Sequence, residues 1–118
     1  MIEVAVALHS RHSTLERVEV RGHSGQAGTS VVCAAVSALA RTAAHTVEEY
    51  GKFEVDGDAE SPGSLRFSIA QTEGTGSGDY IWLMGVTDNF LTGIRDIERE
   101  HPEECAMEVL TGGSKYGS

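Results

Sequence analysis

Apolar and polar residues alternate from the second residue onward. Ile2, Val4, Val6 and Leu8 fall on one side and Glu3, Ala5 and Ala7 on the other, the period of a half-buried strand. His9-Ser10-Arg11-His12-Ser13 is a polar turn, and alternation resumes over Leu15 to Arg21 with Leu15, Val18 and Val20 apolar. The phase slips by one residue near Arg17, where a bulge would absorb the extra residue. The two runs predict an antiparallel hairpin.

The period then changes. Val32, Val36, Leu39, Ala43, Val47 and Tyr50 recur at helical spacing and form one apolar stripe. Ser30 suits the N-cap of that helix, and Gly51 its C-terminal stop. Beside the stripe runs a line of small side chains, Cys33, Ser37, Ala40 and Ala44, which would let another element approach closely. Phe53 to Val55 and Leu65 to Ile69 predict a second hairpin, with Asp56-Gly57-Asp58 and Ser61-Pro62-Gly63 as turn residues. After the loop Gly74-Thr75-Gly76-Ser77-Gly78, a long helix is predicted from about Asp79 to His101, with Tyr80, Leu83, Met84, Thr87, Phe90, Leu91, Ile94 and Ile97 inward. Gly85 and Gly93 lie inside it, each unfavourable by about 1 kcal/mol relative to Ala unless a neighbour packs closely there. Pro102 ends the helix, and Cys105, Met107 and Val109 mark a last strand.

The order is ββαββαβ. It predicts a two-layer α+β domain with two long helices on a mostly antiparallel sheet. Residues 1–111 read as one domain and 112–118 as a flexible tail.

Composition narrows the function. The 118 residues are 40% apolar, enough for a core, yet hold no run long enough to span a membrane. The first residues are a strand pattern rather than a signal peptide. Two cysteines, Cys33 and Cys105, are too few for a disulfide framework, so a reducing, cytoplasmic setting is expected. A net charge of −9 argues against direct nucleic-acid binding, which needs clustered Lys and Arg. Taken alone it reads first as a surface kept soluble by charge, and it is compatible with a basic protein partner.

Cys33 would stand in the first turn of the first helix, where the dipole supplies roughly half a positive charge. That field favours a thiolate, which is the nucleophilic form of cysteine. N–H groups of a first turn have no partner inside the helix and suit an oxyanion. Ser37 lies one turn further on. His23 follows the second strand, and glycines at 22, 25 and 28 give the connecting loop the freedom to fold back. By spacing alone, the reading of Cys33 as a small buried hydrophobe and His23 as a turn residue outweighs the catalytic one. His9 and His12, with or without His23, lack the cysteine or carboxylate partners of a metal site, so no metal is expected. His45 reads as a helix-surface residue, His101 as a cation suited to a helix C-terminus, and Cys105 as buried and inert.

The run from Gly22 to Leu39 adds a further clue. Gly22-His23, a glycine-containing loop, and Val32-Cys33-Ala34-Ala35-Val36-Ser37 together resemble the signature of the ribosomal-processing cysteine protease family, Prp. Element order and length agree with it over nearly the whole chain. The resemblance implies that His23 is the catalytic histidine, Cys33 the nucleophile, and Gly22, Ser30 and Ser37 supporting positions. It implies a homodimeric thiol protease, without cofactor, that removes the N-terminal extension of the large-subunit ribosomal protein L-twenty-seven after a phenylalanine. The family pattern carries Asp three residues before the cysteine. Here that residue is Ser30, which can cap a helix but supplies no carboxylate to orient His23. The alternative from another class is a non-catalytic adaptor that binds a basic ribosomal protein during assembly.

Overall fold

A computed structural model describes residues 1–22, 31–58 and 64–111. The elements are β1 (Ile2–Leu8), β2 (Leu15–Gly22), α1 (Val31–Tyr50), β3 (Phe53–Asp58), β4 (Ser64–Gln71), α2 (Ser77–Glu100) and β5 (Cys105–Thr111). This is the ββαββαβ order, in an α+β fold of two helices and a mostly antiparallel sheet.

The sheet runs β3-β4-β2-β1-β5. β1 pairs antiparallel with β2, β2 with β4, and β3 with β4, whereas β5 pairs parallel with β1. Ala7 pairs with Arg17 but Leu8 pairs with Leu15, so Glu16 is the extra residue of a bulge beside Arg17. The alternation predicted for β1 holds: Ile2, Val4, Val6 and Leu8 are buried. Both helices lie on that face. α1 covers β3 and β4, and α2 covers β5 and β2. The opposite face carries exposed Glu3, Ala5, Arg17, Arg21, Glu54, Asp56 and Arg66.

α1 buries Val32, Val36, Ala40, Ala43 and Val47. Gly51 ends it at φ +81°, a conformation glycine adopts without strain. α2 starts at Ser77, two residues earlier than predicted. Gly76 is its N-cap, and the Asp79 carboxylate accepts the Gly76 N–H at 2.8 Å, which holds the first turn. Tyr80, Leu83, Thr87, Phe90, Leu91 and Ile94 are buried as predicted, but Met84 is 46% exposed. Met84 stands at the rim of the stripe, about 70° from its centre by the helical repeat.

Asp56-Gly57-Asp58 is not a turn. All three residues belong to β3, and Gly57 pairs with Phe67. A Cβ on Gly57 would stand 2.9 Å from the Phe67 Cβ, so this glycine serves close strand approach. The predicted turn at 61–63 and the tail at 112–118 lie outside the described residues.

Candidate active site

α1 begins at Val31, which places Cys33 in its first turn. Val32 and Val36 anchor this end of the helix in the core at 3% and 0% exposure. Cys33 and Ser37 stand one turn apart on the adjoining flank, and both are half-buried. Cys33 packs against the core yet keeps contact with solvent. A helix start of this kind directs backbone N–H groups outward and favours negative charge beside them. A thiolate and a developing oxyanion both suit that field.

Gly22 closes β2 opposite Ile2, at φ +94°. A Cβ there would overlap the Met1 carbonyl oxygen. Any other residue would have to displace the start of β1, so glycine is set here by the backbone of the sheet. Gly22 thus fixes where the chain leaves the sheet, and Val31 where it re-enters regular structure. The structure describes Gly22, Cys33 and Ser37 of the five candidate residues. His23 and Ser30 lie outside the described residues.

The line of small side chains on α1 meets the β3–β4 hairpin. Ala40 is fully buried, and Ala44 lies against a groove floored by Val55, Leu65 and Phe67. Arg41, His45 and Glu48 form its rim on α1. The sequence marked this flank as small but gave no sign of the groove, which needs the missing side chain of Gly57 on β3.

The other titratable candidates sit elsewhere. His9 Nδ1 accepts the Arg11 and His12 N–H groups at 3.1 and 3.3 Å, which ties its ring to the turn. The His12 ring stacks on Tyr80 with centroids 3.7 Å apart. Desolvation there, then His9 and Arg11, hold His12 below its ordinary value. No cluster of three metal-ligating side chains occurs among the described residues. His101 caps α2 and its Nδ1 lies 3.2 Å from Glu104 Oε2. Cys105 is fully buried, and burial followed by Glu98 pushes its thiol up. No helix among the described residues is long and apolar enough to cross a membrane.

Comparison with known proteins follows the same lines. Residues 1–106 match the family described as cysteine protease Prp. No curated protein matches. Among solved structures, SMU.848 from Streptococcus mutans is 28% identical, with a TM-score of 0.71 over 94% of this chain and 95% of its own. The ribosomal processing protease Prp from S. aureus, in complex with a covalently linked product peptide, has the same fold at 19% identity. Its TM-score is 0.71 over 92% of this chain and 99% of its own. The same S. aureus protein with a substrate peptide gives 18% identity and a TM-score of 0.71 over the same shares.

Proposed function

This chain belongs to the cysteine protease Prp family, and from that premise we propose that it is an endopeptidase with Cys33 as nucleophile and His23 as its base. Its substrate in this reading is the large-subunit ribosomal protein L-twenty-seven, from which it removes an N-terminal extension. The observation that carries the reading is the position of Cys33: half-buried, in the first turn of α1, at the end of a segment that leaves the sheet at Gly22. His23 is the residue after Gly22 in that segment.

In the proposed mechanism His23 takes the thiol proton and the Cys33 thiolate attacks the peptide carbonyl carbon. N–H groups of the first turn of α1 stabilise the oxyanion. As the tetrahedral species collapses, His23 gives its proton to the leaving amine. Water, deprotonated by His23, then attacks the thioester, and the acyl group departs as a carboxylic acid. Ser37, one turn below the thiol, is a supporting donor, and Ser30, as a serine, has a hydroxyl suited to an N-cap but no carboxylate.

The S. aureus Prp structures with substrate and product peptides support a ribosomal protein as substrate. The net charge of −9 suits a basic one. A reducing cytoplasm keeps the thiol available. One domain over residues 1–111 is sufficient for the activity, with 112–118 as a dispensable tail. A homodimer fits as well, and Ile81 and Met84 on α2, 71% and 46% exposed, offer apolar surface for it. Membership in a protease family sets aside the non-catalytic adaptor.

The test is cleavage of a peptide that carries a Phe-Ala junction from an extended ribosomal protein. The native protein is expected to cleave it after Phe, and Cys33→Ala to leave it intact. Cleavage that survives Cys33→Ala would sink the assignment.

A further inference from the structure

The two edges of the sheet are not alike. At the β5 edge, Glu98 of α2 reaches over, and its Oε2 accepts the Met107 N–H at 2.9 Å. That edge is partly closed by a side chain. At the β3 edge, among the described residues, no side chain bonds to the backbone of 53–58. An edge strand in an antiparallel sheet keeps every second N–H and C=O pointing outward, which is a template for another strand.

The surroundings of β3 differ on its two faces. On the helix face, Val55, Leu65 and Phe67 floor the groove with Gly57 and Arg66 beside them, and Ala44 lies against it under the rim of Arg41, His45 and Glu48. α1 lies over β3, so a strand added beside β3 would have α1 next to its inward side chains. On the other face, Glu54 and Asp56 are exposed. Their cross-strand partners are Ala70 and Ser68, which carry no charge. Neither carboxylate makes an ion pair among the described residues. On that face Arg66 of β4 and Arg17 of β2, both on inner strands, line a hollow together with Asp56.

We propose that the β3 edge is an extended substrate-binding site, which takes a segment of the substrate as an added strand with apolar and basic side chains in alternation. Alternate side chains of a strand point to opposite faces. The apolar set enters the groove beneath α1, and the basic set meets Glu54 and Asp56. Backbone pairing supplies affinity, and the two faces supply selectivity.

The inference rests on Cys33 as the reactive centre, because the groove continues the flank of α1 that bears Cys33 and Ser37. From Cys33 to Arg41 the helix rises about 12 Å. An extended chain covers that in about four residues. The segment recognised at β3 is therefore separated from the scissile bond by a short stretch, and selectivity is read away from the chemistry.

The test measures binding on the Cys33→Ala protein, so it does not depend on cleavage. The probes are fluorescent peptides with a Phe-Ala junction and a Leu-Lys alternation on its N-terminal side in one and its C-terminal side in the other. One of the two is expected to bind more tightly than a peptide of the same composition with Leu and Lys in separate blocks. The double substitution Glu54→Lys/Asp56→Lys should weaken that binding about ten-fold and remove most of its salt dependence. A Leu-Glu peptide should bind the double variant better than the parent. Glu3→Lys/Glu108→Lys, an equal reversal at the far edge of the same face, should have little effect. Equal loss in that control would mean attraction by net charge alone and would overturn the proposal, as would unchanged affinity in the Glu54/Asp56 variant. With Cys33 intact, the native protein should cleave a short peptide bearing only the junction; if it does not, the proposed protease reading fails, and the binding result still decides the β3 edge.

Discussion

The Leu15 N–H donates to Thr87 Oγ1 at 2.9 Å, which joins the start of β2 to the middle of α2. The Thr87 hydroxyl in turn donates to the Leu83 carbonyl at 2.8 Å, so both of its roles are filled inside the core. The extra residue of the β2 bulge, Glu16, follows Leu15 directly. Interrupted pairing there leaves the Leu15 N–H to a side chain.

Thr87→Val keeps the shape and removes the acceptor. The buried Leu15 N–H is then orphaned, at a cost of about 1–3 kcal/mol. Thr87→Ser retains the hydroxyl and should lose less. Denaturant unfolding of the two variants checks the order. The neighbouring Thr14 gives the contrast: its buried Oγ1 has no hydrogen-bond partner among the described residues, so Thr14→Val should be neutral or stabilising.

Gly85 and Gly93 separate the two reasons for glycine in a helix. A Cβ on Gly93 would stand 2.9 Å from Leu39 Cδ1, so this residue lets α1 and α2 come together. A Cβ on Gly85 would meet nothing within 4 Å among the described residues, so close packing there does not explain it. Gly85→Ala should stabilise the protein by about 1 kcal/mol through helix propensity. Gly93→Ala should gain less, because Leu39 must move. In a Leu39→Ala background the same change should recover the full gain. Thermal melts of the four proteins test this coupling.

What was legible in the chain follows from what each pattern encodes. Two-residue and helical periods gave seven elements in the observed order, because one buried face dictates them. The same periods are silent on neighbours. Nothing in Cys105, Met107 and Val109 says that β5 lies parallel to β1, since burial of alternate residues is satisfied in either direction. Asp56-Gly57-Asp58 misled for a related reason: glycine serves turns and close strand approach alike, and only Phe67 across the ladder distinguishes them. Met84 sits where the stripe ends, and its apolarity alone did not tell rim from core. At the candidate site, Cys33 was placed by the helix it begins, and Gly22 by its position at a strand end. His23 and Ser30 were named by the motif and lie outside the described residues.

The ends of the two helices are joined by a second polar contact, with a consequence for acid stability. Tyr50 Oη donates to Asp79 Oδ1 at 2.6 Å, while the other carboxylate oxygen accepts the Gly76 N–H. The Tyr50 hydrogen bond first, then that of Gly76, hold Asp79 below the ordinary carboxylate value. A lowered carboxylate contributes stability that is fully present above its unfolded pKa and is lost as pH falls through the folded one. Tyr50→Phe should therefore lower Tm at neutral pH and narrow the difference from the parent as the solution is acidified. Melts from neutral to acidic pH show it. Phenylalanine keeps the ring that stacks on Trp82, 3.7 Å away, so an equal deficit at every pH would mean that the hydroxyl contributes without the Asp79 charge.

The two thiols should be separable by reagent. Cys33 is half-buried at a helix start, whereas Cys105 is fully buried and its thiol is pushed up by burial and Glu98. Thiolate character and access both set the rate of alkylation, and both disfavour Cys105. A limiting alkylating reagent on the native protein should label Cys33 alone, with Cys105 reacting only after denaturation. Mass spectrometry of the digested protein reads the two sites directly. Loss of peptide cleavage should track Cys33 labelling one for one, and Cys105→Ser should retain activity. Native labelling of Cys105 at a rate like that of Cys33 would mean that β5 opens readily from β1, since Cys105 pairs with Ile2 in the sheet.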